Sequence, residues 1–120
     1  DVLLHAICDA MLGAAGEGDI GIQFPNTDVS LKGISSLELL KRTKNIIRQK
    51  GFSVSNLDSV VIAEAPKVLP HRDAMISNIA VALGIDISQV NVKATTSEGI
   101  GAIGKGEGIS AYAVCLLTYV

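Results

Sequence analysis

Apolar residues recur at Leu4, Ile7, Met11 and Ala14 between Val2 and Ala15, and Gly16 ends the run. That spacing describes one face of an α-helix. From Gly16 to Gly33 the chain is polar and turn-rich, and Pro25 interrupts any regular element there. Ser35-Ser36-Leu37-Glu38 has the capping-box pattern and predicts a second helix ending at Gly51. Leu39, Leu40, Ile46 and Ile47 form its expected buried stripe. Asn56–Ala63 then reads as a strand, and the unbroken Val60-Val61-Ile62 predicts cover on both faces.

Pro66 and Pro70 bracket a stiff loop, and Pro70 suits the first turn of a third helix, His71–Leu83, closed by Gly84. Asp86–Gln89 reads as a short capped turn. Val90–Thr96 is a strand, Ser97–Gly108 a glycine-rich connection and Ile109–Tyr119 a final strand. The order is helix, helix, strand, helix, strand, strand, with no repeat or linker. It predicts an α+β class, a mixed β-sheet with helices packed on one face, within one domain spanning residues 1–120.

Composition adds an expectation of assembly. Of the 120 residues 48% are hydrophobic, with no Trp. A domain of this size buries roughly 65% of its unfolded surface. The surplus of Ile, Val, Leu and Ala points to burial between subunits. The longest apolar run, Ala111–Leu117, is far shorter than the ~18 residues of a membrane helix. A net charge of −2 with both signs mixed gives no reason to expect nucleic acid. Lys41, Arg42, Lys44, Arg48 and Lys50 read as the solvated face of the second helix. Cys8 and Cys115 sit in apolar segments and are expected as reduced thiols, which suits a reducing compartment. Asp1 leads straight into a helical pattern, so an N-terminal segment is expected ahead of it.

Candidate chemistry falls in three stretches. His5 and Asp9 are four apart on one helix face. His5 is a candidate zinc ligand, and Asp9 could ligate beside it or orient it; a solvated histidine is the plain alternative. No C-x-x-C, H-E-x-x-H or second nearby His completes a zinc site. Asp19-Ile20-Gly21 and Phe24-Pro25-Asn26-Thr27-Asp28 offer acceptors and close backbone approach to sugar hydroxyls, or simply Asx turns around a proline.

Ala63–Pro70 leaves a strand and is stiffened by proline. Its backbone could read a base edge and Lys67 could meet phosphate, or it is a rigid connection. Thr95, Thr96, Ser97 and Glu98 end a strand with three hydroxyls and a carboxylate. Hydroxyls donate to phosphate oxygens, and a carboxylate facing phosphates implies a divalent cation such as Mg²⁺ between them. Gly101–Gly108 lacks the GxxxxGK[ST] ending and leads into a strand, so a Walker loop is excluded. Lys105 could still meet an anion there.

Four ordered motifs, DVLLHAICDAMLGAAGEGDIG, FPNTD, AEAPKVLPH and VNVKATTSEGIG..GKGEGI, cover the chain without an obvious gap. By these the chain resembles the 2-C-methyl-D-erythritol 2,4-cyclodiphosphate synthases of the non-mevalonate isoprenoid pathway. The resemblance implies a homotrimer of α+β subunits with active sites between neighbours, in bacterial cytosol or a plastid-type organelle. It implies a lyase that cyclises 4-diphosphocytidyl-2-C-methyl-D-erythritol 2-phosphate with release of CMP. A non-catalytic trimeric nucleotide-binding protein, or an inactive fragment, is the alternative.

Residue roles follow from the same resemblance. His5 matches a zinc ligand whose partners, an Asp-x-His pair, would precede Asp1. Glu98 matches the carboxylate on a second cation, Mg²⁺ or Mn²⁺. Thr96 matches the residue that stabilises the transition state, with Thr95 and Ser97 beside it. Asp19, Ile20 and Gly21 match the ribose contacts; Phe24, Pro25, Asn26, Thr27 and Asp28 match the wall around methylerythritol. Ala63, Pro66, Lys67, Val68 and Leu69 match a cytidine pocket lent by a neighbouring subunit. Asn26 stands where the family often has Asp, Ala102 where an aromatic is common, and Lys105 where Arg is frequent. The last two positions lie near the trimer's central cavity.

Overall fold

The computed structural model describes all 120 residues. Five α-helices, α1 (Val2–Ala14), α2 (Ile20–Gln23), α3 (Ser36–Gln49), α4 (Arg72–Leu83) and α5 (Gly101–Gly104), accompany three strands. The strands are β1 (Phe52–Ile62), β2 (Val90–Thr95) and β3 (Ser110–Tyr119), in the order β2-β1-β3. Strand β1 pairs parallel to β2 and antiparallel to β3, so the sheet is mixed as expected. The α4 crossover supplies the return that a parallel pair requires.

The helix ends follow local chemistry. Ser35 caps α3 by accepting from the Glu38 N–H at 3.1 Å. Gly84 terminates α4 at φ +67°, in the left-handed region that favours glycine. Before β2, Asp86 and Gln89 make a reciprocal capping box, and Gln89 also donates to the Ser55 carbonyl at 3.0 Å. That contact fastens the α4–β2 connection to the start of β1.

Helices α1, α3 and α4 lie together on one side of the sheet. The core joins Ile7, Cys8 and Met11 of α1, Leu40 and Ile47 of α3 and Ile79 of α4 to Leu57 and Val92 of the sheet. Truncating one such residue to Ala would cost about 2–5 kcal/mol. The α3 stripe contains Thr43 in place of Ile46. Position 43 lies between Leu39 and Ile47 on the inward face, and its hydroxyl is satisfied by the Leu39 carbonyl at 2.9 Å. Cys8 is buried and its thiol is raised by desolvation; Cys115 is half-buried and pushed up to about 11 by burial, and neither is in a disulfide.

Strand β1 corrects the sequence expectation twice. It begins at Phe52 because β3 pairs it back to Phe52↔Tyr119 around a bulge between Val54 and Asn56. The polar Ser53 and Ser55 hid this in the sequence. Burial also alternates along it, with Leu57, Ser59 and Val61 covered by helices and Asp58, Val60 and Ile62 only partly covered. The uncovered face continues onto β3, where Tyr112, Val114 and Leu116 stand opposite Val60, Asp58 and Asn56. Those three β3 residues are 64%, 73% and 63% exposed.

Candidate functional site

Two clefts gather most of the candidate residues. The first, about 560 Å³, is lined by His5, Ile20, Phe24, Pro25, Asn26 and Asp28, among others. His5 is exposed on α1, and its imidazole has no hydrogen-bond or ion-pair partner in the chain. Asp9 does not orient it. Its Oδ1 accepts instead from the Ile20 N–H at 2.9 Å, tying the start of α2 to α1. Asp19 caps α2 through Oδ1, which accepts from the Ile22 N–H at 2.9 Å. The two carboxylates therefore fix the Asp19–Gly21 backbone.

Beyond Pro25, Asp28 Oδ1 accepts from the Ser30 hydroxyl at 2.7 Å and from the Ser30 N–H at 3.0 Å. The Ser30 hydroxyl, helped by its amide, holds the Asp28 carboxyl below the usual carboxylate range. Asx chemistry thus does shape this segment. It folds the segment back over the cleft that His5 shares. Asn26 lies in the same lining.

The second cleft, about 200 Å³, is built where β1 and β2 end together. Ala63, Pro66, Lys67, Val68 and Leu69 face it, with Thr95 and Thr96 on the other side. The two loops are pinned. The Ala63 N–H donates to the Thr95 carbonyl at 3.1 Å, and the Ser97 N–H donates to Glu64 Oε2 at 2.9 Å. Within the turn, the Glu98 N–H donates to Thr96 Oγ1 at 3.2 Å. That bond leaves the Thr96 hydroxyl proton free to donate elsewhere. Glu98 sits at φ +55°, an uncommon conformation for a non-glycine residue. Lys67 and Glu98 are both exposed and neither has an ion-pair partner within the chain.

The clefts share no lining residue. Lys105 lies outside both, exposed at the end of α5. The glycine-rich connection holds the one-turn α5, and its glycines answer backbone needs. A Cβ at Gly104 would collide with the Gly99 backbone, and Gly99 and Gly101 both have positive φ. Glu64 escaped the sequence reading because its partner, Ser97, is 33 positions away. The only sequence signal was a carboxylate just past the end of a strand, two residues ahead of Pro66.

No group of three or more His, Cys, Asp or Glu side chains converges to hold a metal. His5 supplies one zinc-type ligand, short of the three that such a centre takes from protein. Glu98, an unpaired carboxylate beside three hydroxyls, suits the lighter demand of Mg²⁺, which takes one or two carboxylates plus phosphates.

A family model described as the YgbB family matches residues 1–118. The chain belongs to the YgbB family. A YgbB relative from Desulfosudis oleivorans, named 2-C-methyl-D-erythritol 2,4-cyclodiphosphate synthase, is 56% identical over 117 residues. The match covers 98% of this chain and 70% of that protein. A synthase of the same name from Trichlorobacter lovleyi is 55% identical, covering 98% and 74%. The structure of the bifunctional IspDF from Campylobacter jejuni superposes with a TM-score of 0.96 at 46% identity, over 100% of this chain and 32% of that one. The CDP complex of Plasmodium falciparum IspF gives 0.87 at 37% identity, over 99% and 71%. The mixed sheet with helices is the fold of these YgbB-family structures.

Proposed function

We propose that this chain cyclises 4-diphosphocytidyl-2-C-methyl-D-erythritol 2-phosphate to 2-C-methyl-D-erythritol 2,4-cyclodiphosphate. An oxygen of the substrate's 2-phosphate bonds to the β-phosphorus, the α–β phosphoanhydride bond breaks, and CMP leaves with the bridging oxygen. The reaction belongs to the phosphorus–oxygen lyases. It needs no protein nucleophile, so positioning and charge stabilisation supply the rate.

One observation carries the assignment to residues: the proline-stiffened Ala63–Leu69 loop and a hydroxyl-rich turn close on one cleft, while His5 shares another with Phe24, Pro25, Asn26 and Asp28. In our reading, Ala63, Pro66 and Lys67–Leu69 hold the cytosine and its phosphate. Thr96 donates its free hydroxyl proton to the charge that develops on the transferring phosphoryl group, with Thr95 and Ser97 alongside. Asp19, Ile20 and Gly21 meet the ribose. Phe24, Pro25, Asn26, Thr27 and Asp28 wall in the methylerythritol, and Asn26 accepts hydrogen bonds there without adding charge. Lys105 acts as a point charge for an outlying anion.

Zinc at His5, with ligands from outside residues 1–120, and Mg²⁺ or Mn²⁺ at Glu98 would supply Lewis-acid polarisation and neutralise diphosphate charge. The functional unit is a homotrimer in which residues 1–120 act as one domain. The bare apolar sheet face supports that assembly, because Tyr112, Val114 and Leu116 would otherwise stay in water. The two separate clefts support it too, each then being half of a site that a neighbour completes. Bacterial relatives and two free thiols favour the cytoplasm.

The test is CMP release from the cytidyl substrate by the full-length protein, with and without chelator. We expect His5→Ala to abolish release while the hydrodynamic size stays unchanged. Normal turnover by that variant would remove His5 from the chemistry. CDP binding without any CMP release would leave only a nucleotide-binding protein.

A further inference from the structure

We infer that Glu64 is a positioning residue that makes the base-reading loop and the Thr95–Glu98 turn one rigid unit. The inference rests on the reaction proposed above. Glu64 is half-buried, lines the second cleft and gives its Oε2 to the Ser97 N–H at 2.9 Å. One residue earlier, the Ala63 N–H meets the Thr95 carbonyl at 3.1 Å. These bonds continue the parallel β1–β2 ladder one step past its end, with a side chain taking the place of a backbone acceptor. The next amide, that of Glu98, is satisfied by Thr96 Oγ1.

The consequence is geometric. The turn carries Thr96 and Glu98, and Glu98 is held at positive φ, so it lacks a regular strand or helix to keep it in place. Without Glu64 the Ser97 amide loses its partner and the turn can swing on Thr95. A misplacement of about 1 Å in a positioned group can cost on the order of a hundredfold in rate. Base binding, which uses the other loop, would suffer less. The role needs an acceptor oxygen, not a charge, which separates it from cation ligation.

The experiment compares Glu64→Gln, which keeps an acceptor, with Glu64→Met, which keeps length and loses it. Three readouts are taken: kcat and KM, the Mg²⁺ concentration for half-maximal rate, and hydrogen exchange of the Ser97 amide. We expect Glu64→Gln to stay within about threefold of the unsubstituted protein in all three. Glu64→Met should lose tenfold or more in kcat with little change in KM, and its Ser97 amide should exchange at least tenfold faster. Equal losses in both variants, or a Mg²⁺ requirement raised by Glu64→Gln, would overturn the inference and make the carboxylate charge the active feature. So would unchanged exchange in Glu64→Met. If Glu64→Met fails to fold, Glu64→Ala, which also lacks the acceptor, takes its place under the same criteria. Should the unsubstituted protein release no CMP, the proposed reaction fails, and the exchange measurement still decides the pin.

Discussion

Replacing Leu116 by Asp addresses assembly through a residue that the single chain hardly uses. Leu116 is 63% exposed on the bare sheet face, level with Asn56 of β1. Full burial of a leucine is worth about 1.5–3 kcal/mol, so covering the exposed part contributes about 1–2 kcal/mol per protomer. A closed trimer counts this three times, about 3–6 kcal/mol, before any cost of burying an unpaired carboxylate. At about 1.4 kcal/mol per decade, the proposed trimer should weaken by roughly two to four orders of magnitude. The isolated fold should survive, since the new carboxylate faces solvent in the separated chain. Sedimentation velocity at micromolar protein should show a slower species with unchanged far-ultraviolet circular dichroism. Val81→Asp is the control, because Val81 is 77% exposed on α4, away from the sheet. Leu116→Asp at full trimer size, or Val81→Asp dissociating just as readily, would refute the reasoning.

Glu98→Gln should raise the Mg²⁺ needed for half-maximal rate by about tenfold or more, because a divalent ion loses its anionic ligand. CDP affinity measured by calorimetry should hardly change, and equal losses in both would remove Glu98 from cation binding. A second pair tests electrostatics on the bare face. Lys93 donates to Asp58 at 2.8 Å, and with Asn91 it holds the Asp58 carboxyl below its usual range. A lowered folded value means the pair stabilises above the unfolded value of about 3.9 and loses that contribution as pH falls through the folded one. Made in the separated Leu116→Asp chain, where the pair is exposed, Asp58→Asn should therefore cost at most about 1 kcal/mol at pH 7, and nothing in strong acid. Urea melts at both pH values check this; a penalty that persists in acid would assign the loss to packing.

Much of the fold was legible because its elements are bounded by residues with one local job. Ser35, Gly84 and Asp86 mark ends that side-chain or backbone caps enforce, and those ends stand where the sequence places them. The start of β1 was not legible, because pairing with β3 extends the strand back through Ser53 and Ser55 against their propensity. Within one chain Val60 and Ile62 are only partly covered, and a continuous apolar run looks the same whether its second face meets helices, solvent or a neighbouring chain. In the clefts, motif residues could be named from the sequence, but their partners could not. Asp9 reaches Ile20 and Glu64 reaches Ser97 only after the chain has folded back on itself.

The claim that one site is shared between protomers is tested most directly by mixing two inactive variants. His5→Ala damages only the first cleft and Thr96→Val only the second. Co-expressed in equal amounts, they should form mixed trimers in which about a quarter of sites combine two undamaged halves, because each half comes from a different chain. The account predicts CMP release at about a quarter of the unsubstituted rate from the mixture and none from either variant alone. A mixture as inactive as its components would contradict it.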